Sequence, residues 1–258
     1  MIFNHDILAC ADLLERGDFV RFRAVMSTPV EMRAKLFPIF AFNIEVARAP
    51  WVTEQAMIAE MRLQWWKDAL EEIAIGDKVR RHQIVSPLSE LITPKAARDL
   101  QSVIEARRWD IYSKPFMNKA AFTGYIQQTS SLLFKVAAQA LGPAETQTIE
   151  KFGFGVGLAN FFVAVPKLLA AGRSPLIDES PEFLRGLALK GLAELKESRR
   201  ARHKVSAAAG KALLSGWQAQ YILKEAADQP KNIASGLNVP SRLHDNAVLS
   251  LRAFTGRW

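Results

Sequence analysis

The sequence predicts an all-α fold, on three observations. Apolar residues recur at spacings of three and four along nearly every segment, while the strict alternation of a half-buried strand is almost absent. Helix punctuation recurs as well, with Ser, Thr, Asp or Asn opening apolar runs and Gly or Pro closing them. No tandem repeat, low-complexity segment or sharp compositional boundary divides the 258 residues. One helical bundle of roughly eight or more helices over 1–258 is therefore expected.

The first helix is expected over 6–15, ending at Gly17, and a second follows Asp18 with Phe19, Val20 and Phe22. Thr28-Pro29-Val30-Glu31 has the form of a capping box with proline at the first helical position. Pro38 should kink that helix and Pro50 should end it. Thr53 is placed to cap the next, which reaches about Ile75 before Gly76 stops it. Ile58, Met61, Trp65 and Ala69 share one of its faces. Arg62 beside Trp65 and Trp66 sets a permanent cation against rigid aromatic bulk, the make-up of a helix that lines something.

Residues 78–86 form a polar loop, and Ser86-Pro87 and Thr93-Pro94 are two further helix starts. A helix over 94–112 ends in the charged run 105–110, and a long one over 118–141 is closed by Gly142-Pro143. The next runs from 144 to about 171, kinked by Pro166. Its uncharged stretch, 152–166, is short of the roughly 20 residues that span a bilayer, so a buried core helix is expected. Ser180-Pro181-Glu182 opens the C-terminal helices, 181–204 and 206–227. Pro230 and Pro240 bracket a loop, and a short basic helix closes the chain near Trp258.

The composition, 49% hydrophobic and 23% charged, is that of a globular domain without a disorder signature. A formal net charge of +8 suits an anionic partner, whether a phosphorylated ligand, an acidic lipid surface or nucleic acid, and is also compatible with a merely basic soluble protein. No nucleic-acid-binding motif accompanies the charge, so nucleic acid is set aside. Cys10 is the only cysteine, which excludes an intrachain disulfide and fits a reducing compartment. The first residues carry Asp6, Asp12, Glu15 and Asp18 and have the character of neither a signal nor a transit peptide.

Several chemistries are excluded by pattern. The four histidines, His5, His82, His203 and His244, show no zinc spacing. Gly153-Phe154-Gly155-Val156-Gly157 has its third glycine misplaced for a dinucleotide loop and no strand before it, and is assigned to close helix packing. No serine nucleophile elbow is present. The carboxylate pairs Asp68/Glu72 and Asp178/Glu182 have the i, i+4 spacing of a Mg²⁺ clamp. The first is assigned to a solvated stripe and the second to a helix start, where acids meet the positive end of the dipole.

Two interior helices carry no acid between Asp110 and Glu145 or between Glu150 and Asp178. Their polar residues include Tyr125, Gln127, Gln128, Thr129, Ser130, Asn160, Lys167 and Arg173. Such a set makes either a satisfied core network or a pocket for a polar head. The basic runs 80–82, 107–108 and 199–204 are either solvated faces or a surface for an anionic membrane or partner.

Three blocks, in order, carry a resemblance. AFNIEVARAPWVTE followed by MRLQWWKDALEEI, then YIQQTSSLLFKVAAQALG, then GVGLANFFVAVPKLLAAGRSPL, together resemble the squalene/phytoene synthase family over about 20–185, with the helices of 181–258 beyond. The resemblance implies the isoprenoid synthase fold, in which two facing aspartate motifs hold Mg²⁺ on prenyl diphosphates that are joined head to head. Here the first motif's aspartates fall on Ala47 and Trp51 and the second motif falls on 168–171, where no acid stands. Arg62, Tyr125, Asn160 and Arg173 match retained family positions.

AFNIEVAR is closer to a divergent branch that includes a mitochondrial complex I assembly factor and α-proteobacterial relatives, members of which are thought to have lost the synthase chemistry. The resemblance thus implies a catalytically silent, cofactor-free protein, peripheral at the inner face of a bacterial membrane. Its expected partners are the membrane surface, respiratory-complex subunits, and an isoprenoid or other lipid. Asn43, Glu45, Arg62, Trp65, Tyr125, Thr129, Asn160, Lys167 and Arg173 are the candidate ligand-binding residues, with no catalytic or metal residue assigned. The alternative is an active Mg²⁺-dependent prenyltransferase using the displaced carboxylates Glu45, Glu54, Asp68 and Glu72. A lipid carrier would show an apolar tunnel lined by Phe40, Trp65, Phe161 and Phe162.

Overall fold

The structure of the protein, a computed structural model, describes residues 3–112, 114–238 and 242–258, the side chains of 242–244 excepted. Part of the loop expected between Pro230 and Pro240, and the side chain of His244, lie outside the described residues. Fifteen α-helices follow one another there, and no strand does.

The chain starts with α1 (His5–Gly17), capped by the Asn4 side chain on Ile7 N, and α2 (Phe19–Met26), capped by Asp18 on Arg21 N. The third helix, α3 (Val30–Arg48), is the first of two central rods. Every residue from Leu36 to Ile44 is buried, so this helix is covered on all sides and has no solvent face there. The expected capping box does not form. Thr28 is buried and its hydroxyl donates back to Val25 O at 2.7 Å, while Pro29 takes the N-cap position. Pro38 lies inside α3, and Pro50 lies in the single 3₁₀ turn Ala49–Trp51 that follows it.

α4 (Ala56–Ile75) begins three residues after Thr53, whose hydroxyl accepts from Gln55 N instead of capping the helix. Gly76, at φ 74°, ends it in the left-handed conformation that glycine adopts without penalty. Its buried face is Ala59, Leu63, Trp66, Leu70 and Ile73. The expected stripe is therefore corrected: Ile58, Met61 and Trp65 point outward, and of that set only Ala69 is buried.

α5 (Val85–Ser89) leads to α6 (Pro94–Arg107), capped by Thr93 on Ala96 N as its Thr-Pro start requires. The helix expected to continue to 112 stops at Arg107 and restarts as α7 (Trp109–Tyr112). The break lets Trp109 stack on Phe116, with centroids 3.9 Å apart, and turns Asp110 inward. α8 (Lys119–Ile126) and α9 (Leu132–Leu141) form the long helix expected over 118–141, joined by a π-helical turn, Gln127–Ser131.

α10 (Thr146–Ala170) is the second central rod and has the length and hydropathy of a membrane span. Two-thirds of that apolar window (67%) is buried inside the bundle, as a core helix requires. It packs against the π turn because glycines allow it: a Cβ on Gly153 would lie 2.6 Å from Ser131 Cα, and one on Gly157 2.5 Å from Ser130 Cβ. The serine hydroxyls complete the seam, Ser130 donating to Gly153 O and Ser131 to Glu150 O, each at 2.8 Å. π turns cluster at functional positions, and this one faces the central cavity.

α11 (Pro181–Arg200) is capped by Ser180 and packs along α10. The segment expected as one helix over 206–227 is two, α12 (Ala207–Leu213) and α13 (Ala219–Asp228). They part at the tight turn Leu214–Gly216, where Gly216 is pressed against Phe152 and Val156 and has no room for a Cβ. α14 (Asn232–Ser235) and α15 (Arg242–Thr255) finish the chain.

Candidate functional site

The two central rods do not close on each other completely. Between them lies a cavity of about 220 Å³. Asn43 and Ala47 of α3, one helical turn apart, line one wall with Trp51 from the following turn; Gly157, Asn160, Phe161 and Leu168 of α10 line the opposite one. The positions where the family resemblance expects facing aspartates are thus brought to one cavity, as Ala47, Trp51 and Leu168. A wider surface hollow of about 390 Å³ shares Asn43, Ala47, Trp51, Ala164 and Leu168 and adds Asp18, Arg48 and Lys167.

A buried polar triad fills one side of the cavity. Asp110 Oδ1 accepts from the Tyr125 hydroxyl at 2.8 Å, and Oδ2 from Arg107 Nη1 at 3.0 Å. The same Nη1 donates to the Tyr125 oxygen at 2.8 Å. Burial pushes the Tyr125 phenol well above its ordinary range and the neighbouring Asp110 adds to this, so it stays a neutral donor. Burial works against the charge on Arg107, but the Asp110 carboxylate and the hydrogen bonds to Asp110 and the Tyr125 oxygen outweigh it and hold the guanidinium above its usual value.

Arg173 closes the cavity from outside. Its guanidinium lies 3.8 Å from the Trp51 ring centroid and Nη1 donates to Asp110 O at 2.5 Å. Lys167 Nζ lies 5.7 Å from the same ring. Opposite them, Arg21 is paired with Asp18 at 3.3 Å and lies over the Phe40 ring at 4.9 Å. Three buried polar atoms of the lining residues, Arg21 Nε, Asn43 Oδ1 and Arg107 Nε, have no protein partner. Thr129 and Ser130 are satisfied, donating to Tyr125 O and Gly153 O.

Of the nine predicted binding residues, Asn43, Tyr125, Thr129 and Asn160 line the central cavity, and Lys167 and Arg173 stand at its outer side by Trp51. Glu45, Arg62 and Trp65 must be reassigned. Glu45 lies two residues from both Asn43 and Ala47, about 200° round the helix, and faces the other way. There it pairs with Arg62 at 3.5 Å and Arg48 at 3.8 Å. Trp65 packs edge-on against Trp66 and His82, with centroids 5.0 and 5.1 Å apart, under the Arg80 guanidinium.

Sequence reasoning did not single out Arg21, Trp109 or the Arg107–Asp110 pair. The i, i+3 spacing of Arg107 and Asp110 is the available signal, and it lies within the charged run 105–110.

The donor set does not fit Mg²⁺. Asp110 is the carboxylate lining the central cavity and both its oxygens are engaged; Asp18, in the outer hollow, caps α2 and pairs with Arg21. Hard cations need several oxygen ligands free to bind, and among the described residues no group of three or more His, Cys, Asp or Glu converges anywhere. The displaced carboxylates are elsewhere: Glu45 is with Arg62, Glu72 with Arg80, Asp68 with Gln64, and Glu54 is exposed. Nor do Phe40, Trp65, Phe161 and Phe162 line one tunnel; Phe161 reaches the cavity, Phe40 and Phe162 are fully buried in the core, and Trp65 is on the outside. About 220 Å³ is below the roughly 300–1,000 Å³ of ordinary ligand pockets.

An all-α bundle with two central rods facing a single cavity defines the architecture of an isoprenoid-synthase-type helical domain. The sequence profile of the squalene/phytoene synthase family matches residues 14–218, and the chain belongs to that family. In fold it is similar to a dehydrosqualene synthase, with a TM-score of 0.80 at 14% identity over 98% of this chain and 97% of that one. It is also similar to a squalene synthase from Alicyclobacillus acidocaldarius, with a TM-score of 0.70 at 15% identity over 90% and 95% of the two chains.

In sequence it is similar to the human NADH dehydrogenase (ubiquinone) complex I assembly factor 6, 24% identical over 145 residues, which is 52% of this chain and 40% of the human protein. The Drosophila melanogaster homolog is 25% identical over 196 residues, 72% of this chain and 58% of its own. The matched regions therefore cover about two-fifths to three-fifths of these relatives' lengths.

Proposed function

We propose that this chain is a squalene/phytoene-synthase-like protein without prenyl-transfer chemistry, acting as an assembly-type factor for a respiratory complex at the cytoplasmic face of a bacterial inner membrane. One observation carries the proposal: Ala47, Trp51 and Leu168 face a single cavity whose nearby carboxylates, Asp110 and Asp18, are already committed to internal partners. Ionising an allylic diphosphate loads negative charge on the leaving group, and metal ions supply several kcal/mol of its stabilisation. Arg173 and Lys167 could attract a phosphate but are drawn onto the Trp51 ring instead. The likeness to proteins named as complex I assembly factors supports the direction of the functional change.

The fold remains as a scaffold. Trp51, Val52, Met57, Ile58 and Met61 form an exposed apolar set on the turn before α4 and its first half, the adaptable kind of surface that suits a protein partner. In this proposal lipid contact is made at the surface, and the small central cavity takes no prenyl chain. The test is genetic and biochemical. Cells lacking the chain should lose assembled NADH-oxidising complex on native gels. The wild-type chain should restore it, and Met57→Lys/Met61→Lys should not. Normal complex levels without the chain would defeat the proposal.

A further inference from the structure

A second cavity, of about 440 Å³, opens between α11 and α13 and shares no lining residue with the central one. Lys196, Arg199, Arg200 and Arg202 line it over a floor of Leu192 and Leu195. Among the described residues, none of these four cations takes part in an ion pair with a side-chain carboxylate, although most other arginines of the bundle do. Glu197, on the same turn, is held by Lys151.

Arg199 is the built part of this site. Nε donates to Trp258 O at 2.9 Å and Nη1 to Gln220 Oε1, so the guanidinium plane is fixed from two sides. Its Nη2 is buried without a partner, as is Nη1 of nearby Arg252. Burial, and then the proximity of Arg252 and Arg202, pulls the Arg199 pKa down to about 10. A guanidinium held rigid, partly desolvated and crowded by like charge makes this wall of the cavity strongly positive.

We propose that this cavity binds a phosphate group, with Lys196, Arg200 and Arg202 as its donors and the fixed Arg199 guanidinium as the positive wall behind them. A tetrahedral phosphate offers several acceptor oxygens and suits several donors converging from different directions. It could belong to a phospholipid headgroup or be a free phosphate ion. The surroundings favour the headgroup. Leu189 is exposed on α11, which carries three of these cations, and Tyr221 of α13 and Leu251 and Phe254 of α15 are exposed on the neighbouring helices that hold Gln220 and Arg252, Phe254 to 92%. Apolar side chains beside a cationic cluster are what an acyl–headgroup boundary engages. The site supplies a membrane contact for the function proposed above, but phosphate binding itself does not depend on that function.

The experiment has two arms on the full chain. Thermal shift and calorimetry measure inorganic phosphate; flotation measures vesicles of phosphatidylcholine alone or mixed with phosphatidylglycerol. The wild-type chain should be stabilised by phosphate and should float only with the mixed vesicles. Lys196→Gln/Arg200→Gln/Arg202→Gln, three exposed positions, should lose phosphate stabilisation and vesicle retention, the latter about fivefold per charge removed. Lys95→Gln/Lys119→Gln, exposed elsewhere, should change neither.

Leu251→Ser/Phe254→Ser should weaken flotation while leaving inorganic phosphate binding intact, which assigns the phosphate to a lipid. Phosphate binding without vesicle retention supports the site with free phosphate as its ligand, and removes the membrane from the function proposed above. If the triple variant behaves as wild type in both arms, or the control variant loses as much, the site is overturned and the assembly proposal is untouched.

Discussion

The Arg173 guanidinium lies over the Trp51 indole at 3.8 Å and holds Asp110 O at 2.5 Å, joining the segment after α10 to the turn after α3 and to α7. A cation–π contact of this kind is worth about 0.5–2 kcal/mol, according to its exposure. Trp51 is 40% exposed, so the lower half of that range is expected. Trp51→Ala should lower stability in urea by about 1 kcal/mol. A double-mutant cycle with Arg173→Met should return a coupling above roughly 0.5 kcal/mol, whereas additive effects would show that the two side chains do not cooperate.

Asp110 neutralises a buried arginine and accepts from a buried phenol. Removing its charge by Asp110→Ala leaves Arg107 uncompensated and should cost about 3–5 kcal/mol. Tyr125→Phe removes two hydrogen bonds, one to Asp110 and one from Arg107, and should cost about 1–3 kcal/mol. Denaturant unfolding that ranks these two variants in the reverse order would show that the triad is not held by Asp110.

The glycines of α10 are required by approach, not by conformation. Gly153→Ala and Gly157→Ala would drive a methyl group into the π turn and should each destabilise by about 1–3 kcal/mol. Gly186 of α11 meets nothing within 4 Å, so Gly186→Ala should stabilise by about 0.5–1 kcal/mol through chain entropy alone. The opposite signs, read from melting curves of the three variants, are the check.

His82 is partly buried against Trp65 and Trp66, and that burial lowers its pKa below histidine's ordinary value. At a pH between its folded value and the ordinary ~6.5, the unfolded chain binds a proton that the native chain does not, so stability rises with pH. The contribution is complete above about 6.5 and is lost as pH falls through that value toward the folded one. Urea unfolding across this window should show the slope in the wild-type chain and a flatter one in His82→Gln.

Much of the fold was legible because helix ends are local. Thr93, Ser180 and Gly76 each act where their chemistry placed them. Thr28 shows the limit: its hydroxyl has a backward partner, Val25 O, as well as a forward one, and burial rather than local sequence selects between them. The cavity walls at Ala47, Trp51 and Leu168 were legible through the ordered family blocks.

Glu45 and Trp65 stay off the cavity because helical phase, not nearness in sequence, sets which wall a side chain joins. Arg21 and Asp110 come from α2 and α7, segments distant in the chain, and only tertiary packing brings them to the cavity. The apolar tunnel failed for a related reason. Phe40 and Phe162 lie on the central rods but are fully buried in the core and do not line the cavity.

The most direct measurement is turnover by the purified protein with farnesyl or geranylgeranyl diphosphate and Mg²⁺, following pyrophosphate release together with extraction of hydrocarbon product. With Ala47, Trp51 and Leu168 at the cavity walls, release should not exceed the protein-free blank at any Mg²⁺ concentration. Metal-dependent pyrophosphate release accompanied by a head-to-head prenyl product would contradict the account.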